Sequence, residues 1–110
     1  MKTAGIIGGS GYTGGELIRL ILTHPRIDLD FVYSTTRQNS PLSDTHPDLL
    51  GNTNLCFTNK INNQVEIVFL CLGHGKSLKF LEKNIFSDST IIIDLSNDFR
   101  LNKNNTFKGR

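Results

Sequence analysis

Residues 6–15 read Ile6-Ile7-Gly8-Gly9-Ser10-Gly11-Tyr12-Thr13-Gly14-Gly15. Before them stands a short run, Lys2 to Ile7, that ends apolar; after them the apolar residues take helical spacing. A chain that leaves a buried strand through glycines and enters a helix makes the turn on which a dinucleotide pyrophosphate rests. The spacing G-x-x-G-x-x-G has a physical reading. Gly8 allows a tight turn, Gly11 lets backbone approach phosphate, and Gly14 lets the helix lie close to the strand. Free N–H groups and the positive end of a helix beginning near Thr13 would hold the anion, with the Ser10 and Thr13 hydroxyls as further donors. The bland alternative is a glycine turn without a ligand. The position of the motif between strand and helix favours the nucleotide.

Working outward, Leu17, Ile18, Leu20, Ile21 and Leu22 follow the period of a helix packed on a sheet, and His24-Pro25 ends it. Ile27, Leu29, Phe31 and Tyr33 alternate with Asp28 and Asp30, the pattern of a second strand with one more exposed face. From Ser34 to Thr53, with Pro41 and Pro47 and no period, the pattern predicts a long loop or a short helix at most. Leu55-Cys56-Phe57 is strand-like but short. Gln64 to Leu72, interrupted only by Glu66, reads as a parallel strand covered on both faces. Lys76 to Asn84, with Leu78, Phe80, Leu81 and then Ile85, predicts a helix whose lysines face water. Thr90 to Leu95 predicts another buried strand, and the asparagine-rich tail beyond Arg100 carries no core pattern.

Strand, helix, strand, loop, strand, helix, strand is the order of a doubly wound α/β domain of Rossmann type with a mostly parallel sheet. Its ligand would bind at the carboxyl ends of the strands, a rim that collects the glycine turn, Ser34 to Arg37, Gly73 to Gly75, and Ser96 to Arg100. The 110 residues, 37% of them hydrophobic, suffice for one modest core, so residues 1–110 are expected to form a single domain.

Twelve basic against ten acidic residues give a net charge of +2, with only a thin basic cluster at Arg100, Lys103, Lys108 and Arg110, which is no nucleic-acid footprint. The start of the chain has no basic segment followed by an apolar one, and no apolar run is long enough to span a bilayer; the expectation is a cytoplasmic protein without membrane contact. Of the two cysteines, Cys71 lies inside an apolar run and Cys56 in the short strand-like segment, and neither has a C-x-x-C partner that would suggest a metal.

The second strand's end bears on the choice of nucleotide. Proteins of this architecture that bind NAD place a carboxylate about 20 residues beyond the glycines, to accept the ribose hydroxyls. Here Ser34 holds that place, followed by Thr35-Thr36-Arg37, while Asp28 and Asp30 come too early. Hydroxyls and a guanidinium donate to a 2′-phosphate where a carboxylate would repel it, so Ser34, Thr36 and Arg37 point to NADP. The alternative for Arg37 is a solvated loop residue.

Four runs now carry a family resemblance: Gly9 to Leu17, His46-Pro47-Asp48-Leu49, Phe69 to Gly75, and Asp94 to Leu101. Together they resemble N-acetyl-γ-glutamyl-phosphate reductase of arginine biosynthesis, in the semialdehyde dehydrogenase superfamily, over nearly the whole chain. The first run is shared with the more distant aspartate-semialdehyde dehydrogenases, so the fourth carries more of the assignment. Gly73 stands where the family usually has proline before the histidine. The resemblance implies an oxidoreductase that uses NADPH to reduce an acyl phosphate to an aldehyde through a cysteine thioester. It places that cysteine and its histidine in a downstream catalytic domain absent from this chain, and implies a homo-oligomer at full length. The glycine turn, the end of the second strand and the rim together put Gly8, Ser10, Gly11, Tyr12, Thr13, Gly14, Ser34, Thr36, Arg37, Gly73 and Ser96 at the expected cofactor site. By the resemblance Arg100 is expected at the substrate's phosphate, the alternative being an ion pair with Asp94 or Asp98. No catalytic residue and no metal ligand is assigned. His24 and His46 precede prolines and read as structural; His74 reads as a loop or helix-entry residue at the rim.

Two other readings bear comparison. A short-chain dehydrogenase would require Tyr-x-x-x-Lys, but Glu16 follows Tyr12 and Arg37 follows Tyr33 at that spacing. A stand-alone nucleotide-binding regulatory or interaction module would need none of the missing catalytic groups.

Overall fold

A computed structural model describes residues 2–72 and 76–95. The apolar run at the start forms β1 (Lys2–Ile7), the glycine stretch turns into α1 (Tyr12–Leu22), and the alternating segment forms β2 (Ile27–Tyr33). The proline-punctuated segment contains only a four-residue helix, α2 (Leu42–Thr45), and a 3₁₀ turn over Pro47–Leu49. Then come β3 (Phe57–Thr58), β4 (Ile67–Leu70), α3 (Lys76–Lys83) and β5 (Ile91–Asp94).

The five strands make one sheet in the order β3-β2-β1-β4-β5, and every neighbouring pair is parallel. The chain therefore builds outward from β1 to β2 and β3, then returns to lay β4 and β5 on the other side. Strand order reverses between β1 and β4, the switch point at which doubly wound sheets open a crevice beyond their carboxyl ends. The doubly wound parallel architecture expected from the order of elements is the one observed.

Each face of the sheet has its own core. Ile6, Leu29 and Val32 pack with Ile18 and Ile21 of α1, with Leu42 of α2, and with Leu49 and Phe57. Ile7, Phe31, Val65, Val68 and Leu70 form the opposite core, joined by the partly buried Phe80 and Leu81 of α3 and by Phe86. Consecutive residues Ile6 and Ile7 serve opposite faces because side chains alternate along a strand.

Four expectations are corrected. The register shift after Leu29 puts Phe31 and Tyr33 in the opposite core from Ile27 and Leu29, so β2 does not keep the alternation of one buried and one exposed face. A fifth strand, Phe57–Thr58, pairs with Val32 and Tyr33 at the edge; two residues are too few to show a period. The strand over Ile91–Asp94 is not buried, for Ile91 is 52% exposed and, among the described residues, hydrogen-bonded pairing comes from β4 alone. Leu78 and Ile85, expected on the packed face of α3, are 67% and 80% exposed. The lysines Lys76, Lys79 and Lys83 do face water.

Candidate functional site: the glycine turn and the end of the second strand

The glycine turn leaves the carboxyl end of β1 at the switch point. Gly8 has φ +87°, a left-handed conformation that favours glycine, and a Cβ there would stand 2.9 Å from the Cys71 carbonyl oxygen at the end of β4. The Gly8 and Gly9 N–H groups both donate to the Tyr33 carbonyl, at 3.0 and 3.4 Å, which ties the turn to the end of β2. Gly14 permits a close approach: a Cβ on it would lie 2.6 Å from Gly9 Cα and 2.9 Å from the Gly8 oxygen. Helix α1 thus starts directly against the turn that feeds it.

That start is open for an anion. Gly11 is the N-cap, with no side-chain capping bond, and the Gly15 N–H is the first to find an intrahelical acceptor, the Gly11 oxygen at 2.9 Å. The preceding N–H groups of the first turn lack such acceptors, as at every α-helix N-terminus. A Cβ on Gly11 would meet nothing within 4 Å, so space lies next to those donors. Neither the Ser10 nor the Thr13 hydroxyl has a hydrogen-bond partner among the described residues, and Tyr12 is 83% exposed. Backbone donors, a positive helix end and open space suit a pyrophosphate.

Beyond β2 the chain turns sharply. The Ser34 hydroxyl accepts the Arg37 N–H at 3.2 Å and lies 3.4 Å from the Thr36 hydroxyl, while the Ser34 N–H donates to the Thr58 oxygen. Ser34 is buried beneath this loop; Thr36 and Arg37 are exposed on it. The Arg37 guanidinium has no ion-pair partner among the described residues. Gly73, Ser96 and Arg100, with His74, lie outside the described residues.

His46 sits in this site, although it reads as structural from its sequence context. It is buried at 7% exposure, and its Nε2 lies 2.8 Å from the Gly9 carbonyl oxygen. A Cβ on Gly15 would stand 2.6 Å from its Cε1, so the second glycine of the Gly14-Gly15 pair makes room for the imidazole. Two residues on, Asp48 receives Nη2 of Arg19 at 2.9 Å and also Nε, a two-pronged pair that fastens the 3₁₀ turn to α1. The hydrogen bond from Arg19 holds the Asp48 carboxyl below its usual range. Leu49 then enters the core. The His-Pro-Asp-Leu run is a brace under the glycine turn. Its contacts span 37 residues from His46 to Gly9 and 29 from Asp48 to Arg19, which no local pattern could reveal.

Among the described residues, His24 and the cysteines do no comparable work. His24 Nδ1 accepts the Arg26 N–H, closing the turn after α1. Burial, with the Asp94 carboxylate second, pushes the Cys71 thiol up to about 12, which leaves it protonated and unreactive at neutral pH. Cys56 is exposed. A concavity of about 390 Å³ lies by β2 and β3, lined by Phe31, Cys56 and Lys60 among others, and includes none of the glycine turn. Among the described residues no cluster of histidine, cysteine and carboxylate side chains could hold a metal.

A parallel sheet with a glycine turn and an open helix start at its switch point defines a dinucleotide-binding α/β domain. The chain belongs to the family described as semialdehyde dehydrogenase, NAD binding domain, whose family model matches residues 3–107. It is 58% identical over 110 residues to the N-acetyl-gamma-glutamyl-phosphate reductase of Flavobacterium johnsoniae, covering all of this chain and 34% of that protein. The protein of the same name from Christiangramia forsetii is 56% identical over 104 residues, covering 94% of this chain and 32% of that protein. The chain therefore spans about a third of the length of the curated relatives it matches. Among solved structures, an aspartate semialdehyde dehydrogenase with NADP from Candida albicans shares the fold. Its TM-score is 0.63 at 16% identity, over 91% of this chain and 31% of that one. The resemblance carried by the four sequence runs is the relationship these comparisons show.

Proposed function

We propose that residues 1–110 form the NADP-binding domain of an enzyme that reduces N-acetyl-γ-glutamyl phosphate to N-acetylglutamate semialdehyde, with release of phosphate, in arginine biosynthesis. NADPH supplies the hydride when bound. The reaction is that of the relatives' name, and the cysteine and histidine chemistry belongs to the part of such enzymes beyond this chain's length. Within the chain, Gly8, Ser10, Gly11, Tyr12, Thr13 and Gly14 cradle the pyrophosphate. Thr36 and Arg37 take the 2′-phosphate, and Ser34 closes the loop that presents them. Gly73 and Ser96 complete the cofactor rim, and Arg100 binds the substrate's phosphate with its planar fork of donors. Among the described residues no helix is long and apolar enough to cross a membrane. We place the full-length enzyme in the cytoplasm as a homo-oligomer that acts on a small molecule and touches neither nucleic acid nor membrane.

The observation that carries the choice of NADP is the end of β2. The side chain in the place of the ribose-binding carboxylate is a buried serine hydroxyl, and it holds an exposed arginine that has no carboxylate partner among the described residues. One charge-assisted contact to the 2′-phosphate is worth roughly 1.5–3 kcal/mol, or about one to two decades in Kd. Calorimetric titration tests it. NADPH is expected to bind this chain more tightly than NADH by that margin. Arg37→Ala is expected to remove most of the difference and leave NADH affinity nearly unchanged, and added salt to weaken NADPH the more. Equal affinities in the wild type, or a parallel loss for both nucleotides in the variant, would leave Arg37 a solvated loop residue.

A further inference from the structure

The brace under the glycine turn acts on one peptide plane. Gly9 and Ser10 share a peptide bond, and no cis bond occurs among the described residues. In a planar trans peptide the carbonyl and the N–H point in opposite directions. The Gly9 carbonyl is directed at the buried His46 ring, 2.8 Å from Nε2. The Ser10 N–H must then point away from His46, and it has no acceptor among the described residues. A carbonyl only accepts, so Nε2 carries the proton. The Gly9 N–H lies in the preceding peptide and donates to the Tyr33 carbonyl at 3.4 Å, so the chain entering the Gly9–Ser10 plane is tied to β2 while His46 holds the plane itself.

Resting on the nucleotide reading above, we infer that His46 is a positioning residue for the cofactor: through the Gly9 carbonyl it turns the Ser10 N–H outward as a donor for the pyrophosphate. The ring is kept in place by three separate contacts. Gly15 leaves it space against α1, Phe57 lies beside it with ring centroids 6.4 Å apart, and the Arg19–Asp48 pair holds the segment that carries it. Without the imidazole donor the peptide is free to rotate, and a rotated Ser10 N–H no longer meets the phosphate. The 2′-phosphate end of the nucleotide, at Thr36 and Arg37, makes no use of this device.

The test compares His46→Phe, which keeps a ring and removes the donor, with His46→Gln, which keeps a donor. Two probes are titrated into the chain: NADPH, and adenosine 2′-monophosphate, which lacks the pyrophosphate. The Phe variant is expected to weaken NADPH about tenfold, the loss of one well-placed hydrogen bond, and to leave adenosine 2′-monophosphate unchanged. The Gln variant is expected to stay within about threefold of wild type for both probes. In the nucleotide-free chain, the imidazole nitrogen spectrum should show the Nε2–H tautomer, and Ser10 amide exchange should change in the Phe variant. Unaltered NADPH binding in the Phe variant overturns the inference, as does an equal loss of both probes in both variants, which is the mark of general damage. If the Phe variant does not fold, the Gln variant decides, and its loss of NADPH affinity alone overturns the donor's role. A wild-type chain that binds no dinucleotide sinks the proposed function instead. Ser10 exchange unaltered by His46→Phe would then remove the coupling to the turn as well.

Discussion

Helices α1 and α3 occupy equivalent places, each joining two parallel strands, yet they are seated very differently. Helix α1 buries Gly14, Gly15, Ile18 and Ile21, and its exposed flank is tied down by Arg19 to Asp48. Helix α3 buries only Ser77, whose hydroxyl donates to Asp94 Oδ1, and covers its face with the half-buried Phe80 and Leu81. The glycines explain part of the contrast. They let α1 approach backbone to backbone, so that its isoleucines reach fully into the sheet, and they let His46 pass beneath it. The half of the sheet that carries the nucleotide turn is thus the tightly packed half, as a site that must hold a few N–H groups in fixed directions requires.

Paired substitutions test this contrast most strongly. Ile18→Ala, at a fully buried position on α1, is expected to cost about 2–5 kcal/mol through lost transfer energy and a residual cavity. Leu78→Ala, on the exposed side of α3, should change stability by no more than about 0.5 kcal/mol. Urea unfolding of the two variants reads the difference, and equal losses would mean that the two helices are seated alike.

A smaller effect is expected at the contact between helix and turn. Gly14→Ala places a methyl among the backbone atoms of Gly8 and Gly9, where no flexible side chain can yield. The overpacking cost is about 1–3 kcal/mol, offset in part by the better helix propensity of alanine, about 1 kcal/mol. The same denaturation experiment, with NADPH titration beside it, should show a destabilised chain with weakened nucleotide binding; a variant more stable than wild type would show that the turn yields.

The smallest effect belongs to the exposed Arg19–Asp48 pair. Because the hydrogen bond from Arg19 lowers the Asp48 pKa in the folded chain, the pair's contribution is present above the ordinary carboxylate value, 3.8, and is lost as pH falls through the folded value. Asp48→Asn should therefore be slightly less stable than wild type at neutral pH and equal to it in acid. Salt should shrink the gap, since the pair is solvent-screened. A gap that persists unchanged in acid would assign the effect to packing of the 3₁₀ turn.

Much of this protein was legible in its residues because the signals are local. The Gly8, Gly11 and Gly14 spacing, the apolar run into Ile7 and the helical period through Ile18 and Ile21 all describe neighbours in the chain, and backbone geometry turns such patterns directly into elements. With them came the doubly wound order, the place of the turn, and the absence of a carboxylate at the end of β2. Tertiary structure alone decided the rest. It set the two-residue β3 at the edge, left Ile91, Leu78 and Ile85 exposed where periodicity implied burial, and drew His46 and Asp48 across to Gly9 and Arg19. Burial and long-range hydrogen bonds depend on which surfaces the folded chain brings together. A residue's own neighbours in sequence do not contain that information.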